Sequence, residues 1–170
     1  MAVQFTKQIQ FTRPNNSTQY TAGDAVSDNA TSATVATFTL SDMARAPGLG
    51  GRITNVTLHK TDQDLTGADF DIYLFDAAVA GTSFEDNAAH ALTDAELQTC
   101  IGFVSLTAAS HAVSGGMITG DLYSRSNLDW AYGFSGTGTS TDLYVVVIAR
   151  GTYTPAANEV FTIRFGGEMD

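Results

Sequence analysis

VQFTKQIQFTR, residues 3–13, alternates with period two: Val3, Phe5, Ile9 and Phe11 fall on one side, and Gln4, Thr6, Gln8, Gln10 and Thr12 on the other. That is the pattern of a strand with one buried face. The run stops at Pro14, which lacks a backbone donor, and Asn15-Asn16 favour a turn. The continuation to Ser27 is small and polar, punctuated by Tyr20 and by a second break at Gly23-Asp24. A chain that opens on an ordered strand needs something for that strand to lie against, either its own sheet or another subunit. Residues 1–27 are therefore read as an N-terminal strand or arm with its turn, and 28–170 as a β-sandwich body, the whole forming a single domain.

Further strands follow outward from this one. TVATFTL (34–40) and RITNVTLHK (52–60) flank the flexible turn at Ala46-Pro47-Gly48-Leu49-Gly50-Gly51. DFDIYLFD (69–76) sends Phe70, Ile72 and Leu74 to one face and Tyr73 and Phe75 to the other, so its second half is apolar on both sides. Thr93-Asp94-Ala95-Glu96 is a capping box, in which the threonine hydroxyl takes the N3 amide and Glu96 reaches back to the cap amide. It predicts one short helical turn near 93–99, closed by a strand from Cys100. A short strand at MIT or DLY after Gly115-Gly116, LDWAYGF (128–134), DLYVVVIAR (142–150) and EVFTIRF (159–165) complete the series. The run Leu143–Ala149 is continuously apolar and fits a central strand covered on both faces. Eight to ten strands without strand–helix alternation predict an all-β fold, a two-sheet antiparallel β-sandwich. At 170 residues a jelly roll is preferred over an immunoglobulin-like sandwich.

Composition narrows the function. With 18 acidic and 8 basic residues the formal net charge is −10, and no Lys/Arg cluster offsets it. Such a surface repels phosphate backbones and anionic lipid, which argues against nucleic acid and membrane as partners. Cys100 is the sole cysteine, so no internal disulfide forms, and a structural thiol explains it better than a nucleophile. The opening residues lack the apolar core of a signal peptide, which predicts synthesis as a soluble product in the cytoplasm.

Motifs for chemistry are sparse. His59, His90 and His111 are far apart and form no metal-binding pair. Gly133-Phe134-Ser135-Gly136-Thr137 departs from the nucleophile-elbow pattern, and Gly48-Leu49-Gly50-Gly51 lacks the Lys-Ser/Thr of a phosphate loop. Asp62-Gln63-Asp64-Leu65-Thr66-Gly67 begins like a calcium loop, but Tyr73 stands where a bidentate glutamate belongs. Asp71 and Asp76 are a conceivable glycosidase pair whose separation the sequence does not give. Trp130, Tyr132 and Phe134 share one face, as a sugar-stacking platform or as core. The expectation is a protein without catalytic residues, cofactor or metal.

Three segments are informative beyond their composition: FTRPNNSTQYTAGDAVS (11–27), GGRITNVTLHKTDQDLTGADFDIYLFD (50–76) and DNAAHALTDAELQTCIGFVSL (86–106). Together, over roughly the first two-thirds of the chain, they resemble a family of head proteins of tailed bacteriophages, the capsid decoration or cement proteins. The resemblance implies a non-enzymatic virion protein with a jelly-roll or related β-sandwich body. It implies a homotrimer on the outer surface of the head that binds the major capsid protein and stabilises the shell. In that setting the N-terminal strand could add to a neighbour's sheet, with Phe5, Ile9 and Phe11 as anchors, Arg13 pairing an acidic shell residue and Tyr20 beside them. The plain alternative is that residues 3–13 are the first strand of the domain's own sheet. A competing function is a carbohydrate- or receptor-binding module on the virion, using Trp130, Tyr132 or the acidic loop at 62–71.

Overall fold

The computed structural model describes residues 2–30, 38–62, 68–79, 84–90, 92–107, 111–112, 120–134 and 140–170. Its strands are β1 (Val3–Thr12), β2 (Phe38–Leu40), β3 (Gly50–Lys60), β4 (Phe70–Phe75), β5 (Cys100–Leu106), β6 (His111–Ala112), β7 (Asp121–Gly133), β8 (Leu143–Ala149) and β9 (Val160–Met169). One helical turn, α1 (Asp94–Leu97), precedes β5.

The strands form two antiparallel sheets, β1-β9-β3-β7-β6 and β2-β8-β4-β5. The pairs β1·β9, β2·β8, β3·β7 and β4·β5 are each hydrogen-bonded, as if one long hairpin closing between β4 and β5 had been rolled into a sandwich. That is the order of a jelly roll, the preferred sequence reading. The opening strand pairs with the last one along its full length, Ile9 opposite Ile163 and Phe11 opposite Phe161. Its partner is therefore its own chain, and residues 3–12 are not a detached arm.

Between the sheets lies one core that includes Ile53, Val56, Leu58, Phe70, Ile72, Leu74, Val145, Val147, Ile163 and Phe165. Phe11 stacks between Phe38 and Phe161 at centroid distances of 4.1 and 5.3 Å, which ties both sheets to the first strand. The apolar character of β8 has a second cause. The segments carrying Ala25, Val79 and Phe84 cross the outer face of the second sheet and bury Phe75, Val146 and Ile148 there. A strand covered on both faces loses its alternation, as its sequence predicts.

One difference from the sequence reading has a local cause. DLY and LDWAYGF belong to one strand, β7, because the chain bulges between them: Ile53 faces Trp130 while Asn55 faces Ser126, and Asn127 adopts φ 59°. The polar interruption at Ser124–Asn127 marks exposed strand, not a loop. On β1, Lys7 points to the same side as Phe5, Ile9 and Phe11 and is half-buried. The segments 34–37 and 117–119 lie outside the described residues.

The capping box forms as read. The Thr93 hydroxyl accepts from the Glu96 amide at 3.3 Å, and the Thr93 amide donates to Glu96 Oε2 at 2.7 Å. Two reciprocal bonds hold a turn too short to persist by propensity alone.

Candidate functional site

Each of the segments 11–27, 50–76 and 86–106 contributes a charged residue to the molecule's interior. Pro14 ends β1 and turns Arg13 inward, where its amide donates to Glu159 O at 2.9 Å. The Arg13 side chain pairs with Asp86, Nη2 to Oδ2 at 2.6 Å, and Nη1 donates to Ala156 O at 3.2 Å. Arg13 Nε also donates to the Tyr20 hydroxyl, which in turn donates to Asp86 Oδ1. The Ser27 amide completes the aspartate shell at 3.1 Å. The YTAGD stretch is the turn that delivers these groups. Asp24 Oδ2 accepts from the Thr21 amide and hydroxyl at 2.6 and 2.9 Å, and Gly23 takes the left-handed φ of 97°.

A second ion cluster adjoins the first through aromatic rings. Tyr20 stacks on Tyr153 at 4.9 Å, and Lys60 Nζ lies 5.6 Å over the Tyr153 ring. Lys60 Nζ reaches Asp121 Oδ2 at 3.0 Å and Glu159 Oε1 at 3.2 Å, and donates to Asp62 O at 2.8 Å. These side chains have essentially no solvent exposure. Burial opposes the Arg13 charge, but the hydrogen bond and attraction of Asp86 outweigh it and raise the guanidinium above its usual value. Burial holds the Tyr20 and Tyr153 phenols far above theirs. Burial also pushes the Glu159 carboxyl up to about 7, against the pull of Lys60. No substrate reaches groups so enclosed, and the cluster specifies packing.

This placement corrects the expected contact residues. Ile9, Phe11, Arg13 and Tyr20 are buried in the chain's own body, so they do not serve as anchors on a neighbour. Phe5 is half-buried and packs against the core. What β1 does offer is its edge. It ends the first sheet, and among the described residues no strand pairs with its outer side. Val3, Gln4, Thr6, Gln8, Gln10 and Thr12 are exposed along it. The alternation of residues 3–13 identified the buried side, and so drew attention away from the accessible one.

The other sequence leads disperse. Tyr132 is buried, its hydroxyl donating to Met43 O at 2.6 Å. Trp130 and Phe134 pack against the core, and the Trp130 ring lies over Gly102, where a Cβ would come within 3.1 Å of it. They form no exposed platform. His59 lines a groove of about 290 Å³ on the outer face of the first sheet, while His90 stacks on Phe84 beside the second. The His111 side chain, residues 63–67 of the acidic loop and residues 135–139 of the glycine-serine run lie outside the described residues. Asp71 lies near the start of β4 and Asp76 just past its end, on the order of 16 Å apart along an extended chain, too far for paired glycosidase carboxylates. Cys100 is half-buried, its thiol pushed up by burial. Among the described residues no three His, Cys, Asp or Glu side chains could together hold a metal ion. No described helix is long and apolar enough to cross a membrane.

A concave feature missed by sequence reasoning lies on the outer face of the second sheet. Tyr73 packs against that outer cluster, and beside it lies a cleft of about 450 Å³ lined by Gly23, Asp71, Tyr73, His90, Leu97 and Arg150 among others. No single motif signals it, because its walls come from four separate parts of the chain. No family model matches the chain, and no curated protein matches it.

Proposed function

We propose that this chain is a non-enzymatic structural protein that decorates a bacteriophage head and stabilises the shell by binding the major capsid protein. The observation that carries the reading is the convergence just described. Arg13 and Tyr20 from the first segment of the resemblance meet Asp86 from the third, and Tyr20 stacks on Tyr153, whose ring also lies under Lys60 from the second. The residues of these three segments thus help to hold the sandwich together, which supports reading them as a unit.

The physical mechanism is cooperative binding by a rigid body. A homotrimer presents three copies of the same weak contact, and simultaneous engagement multiplies their effect without a large interface on any one copy. The edge of β1 supplies a row of main-chain donors and acceptors for a neighbouring strand, flanked by Val3 and the exposed glutamines and threonines. Lys7, turned inward on that edge, discourages indiscriminate pairing. The net charge of −10 keeps the body off the packaged nucleic acid and suits the outside of the head.

The test is sedimentation of the purified chain, alone and with expanded heads lacking decoration. The expected result is a trimer that co-sediments with heads to a saturating copy number. A monomer that stays in the supernatant at micromolar concentration overturns the reading.

A further inference from the structure

We propose that the cleft beside Tyr73 is a binding site for a neutral carbohydrate, taking one sugar ring against the tyrosine face and two of its hydroxyls on Asp71 and Arg150. This goes beyond the shell-binding reading and does not depend on it.

The floor is aromatic and stiff. Tyr73 and Phe103 are cross-strand partners on β4 and β5, with rings 5.2 Å apart and 20° from parallel, and Phe75 stacks behind at 6.5 Å. Phe103 is 55% exposed, unusual for a phenylalanine in mid-strand, so the shelf continues beyond the cleft. Such a surface matches the C–H face of a sugar ring.

The polar groups are held for both halves of a diol. Ser105 Oγ donates to Asp71 Oδ1 at 2.6 Å and fixes the carboxylate, while Arg150 Nε lies 3.4 Å from Oδ2. That contact is long for a charge-assisted bond, and the Arg150 side chain is 44% exposed, so its remaining N–H groups are accessible. Neighbouring hydroxyls can donate to Asp71 and accept from Arg150. The pair is electrically neutral within a chain of charge −10, so an anionic ligand gains little over a neutral one and is repelled by the whole. Leu97 and Ile148 add an apolar wall, and Gly23 keeps the rim low. A volume of about 450 Å³ lies within the range of small-ligand clefts.

The test is saturation-transfer NMR on the full chain with lactose, cellobiose, mannobiose and N,N′-diacetylchitobiose, alongside an array of neutral and acidic glycans. The expected result is binding of at least one neutral glycan, weakened about tenfold or more by Tyr73→Ala and by Arg150→Gln. Arg150 is at the surface, so Arg150→Gln keeps the test interpretable should Tyr73→Ala melt early. No binding of any neutral glycan overturns the proposal, as does binding that survives both substitutions or a preference for sialylated or sulfated glycans. Head binding is read separately, since β1 lies at the end of the other sheet.

Discussion

Arg13 and Asp86 are 73 positions apart in sequence, yet form an ion pair with almost no access to solvent. Breaking one side of such a pair leaves the other charge buried without compensation, which costs about 3–5 kcal/mol. Asp86→Ala and Arg13→Ala should each lower unfolding free energy by that amount in urea titration. The double variant Arg13→Met/Asp86→Leu should recover part of the loss, which a thermodynamic cycle reads directly. Glu159 gives a pH signature. Its carboxyl has a folded pKa of about 7, against an ordinary value of 4.5, so between those values the folded state holds a proton that the unfolded chain has lost. Stability from this group is fully present below pH 4.5 and falls as pH rises towards 7, by up to about 3 kcal/mol. Glu159→Gln should flatten that portion of the stability–pH curve and leave the variant more stable than the parent at pH 8. An unchanged slope between pH 5 and 7 would show that Glu159 ionises normally.

The strands differ in how openly their sequences declared them. β1, β4 and β8 were legible because each has a simple relation to its cover: one face buried, or both. The turn at 93–97 was legible because capping is a local affair of four residues. β7 was not, since the bulge at Asn127 exposes a polar run in mid-strand. The roles of Arg13 and Tyr20 were also hidden, because Asp86 and Tyr153 approach them only through the roll of the sheets. The cleft has the same origin, with walls from the 22–23 turn, β4, the 90–97 stretch and the end of β8. Since β1 is a full member of the first sheet, deletion of residues 2–13 should abolish cooperative unfolding and native circular dichroism altogether. A truncated chain that folds would contradict the pairing of β1 with β9. Thr93→Ala, by contrast, removes a single cap and should cost about 1 kcal/mol.

At the scale of the whole molecule, the chain is a jelly roll locked by a buried ionic and aromatic cluster, with an edge strand at one end of one sheet and a cleft on the outside of the other. On the proposed shell-binding reading rigidity matters, because a flexible clamp transmits little resistance to the subunits it spans. Binding that favours the assembled shell over its dissociated subunits raises shell stability by mass action, so the effect should grow with free protein and then saturate. The two proposed surfaces are separable: Tyr73→Ala should leave head binding intact, whereas Thr6→Pro on β1 should impair it. The most direct measurement is calorimetric melting of expanded, undecorated heads titrated with this protein. The account predicts that the disruption temperature rises with added protein and levels off when the symmetric sites are filled. An unchanged disruption temperature at saturating concentration would contradict it.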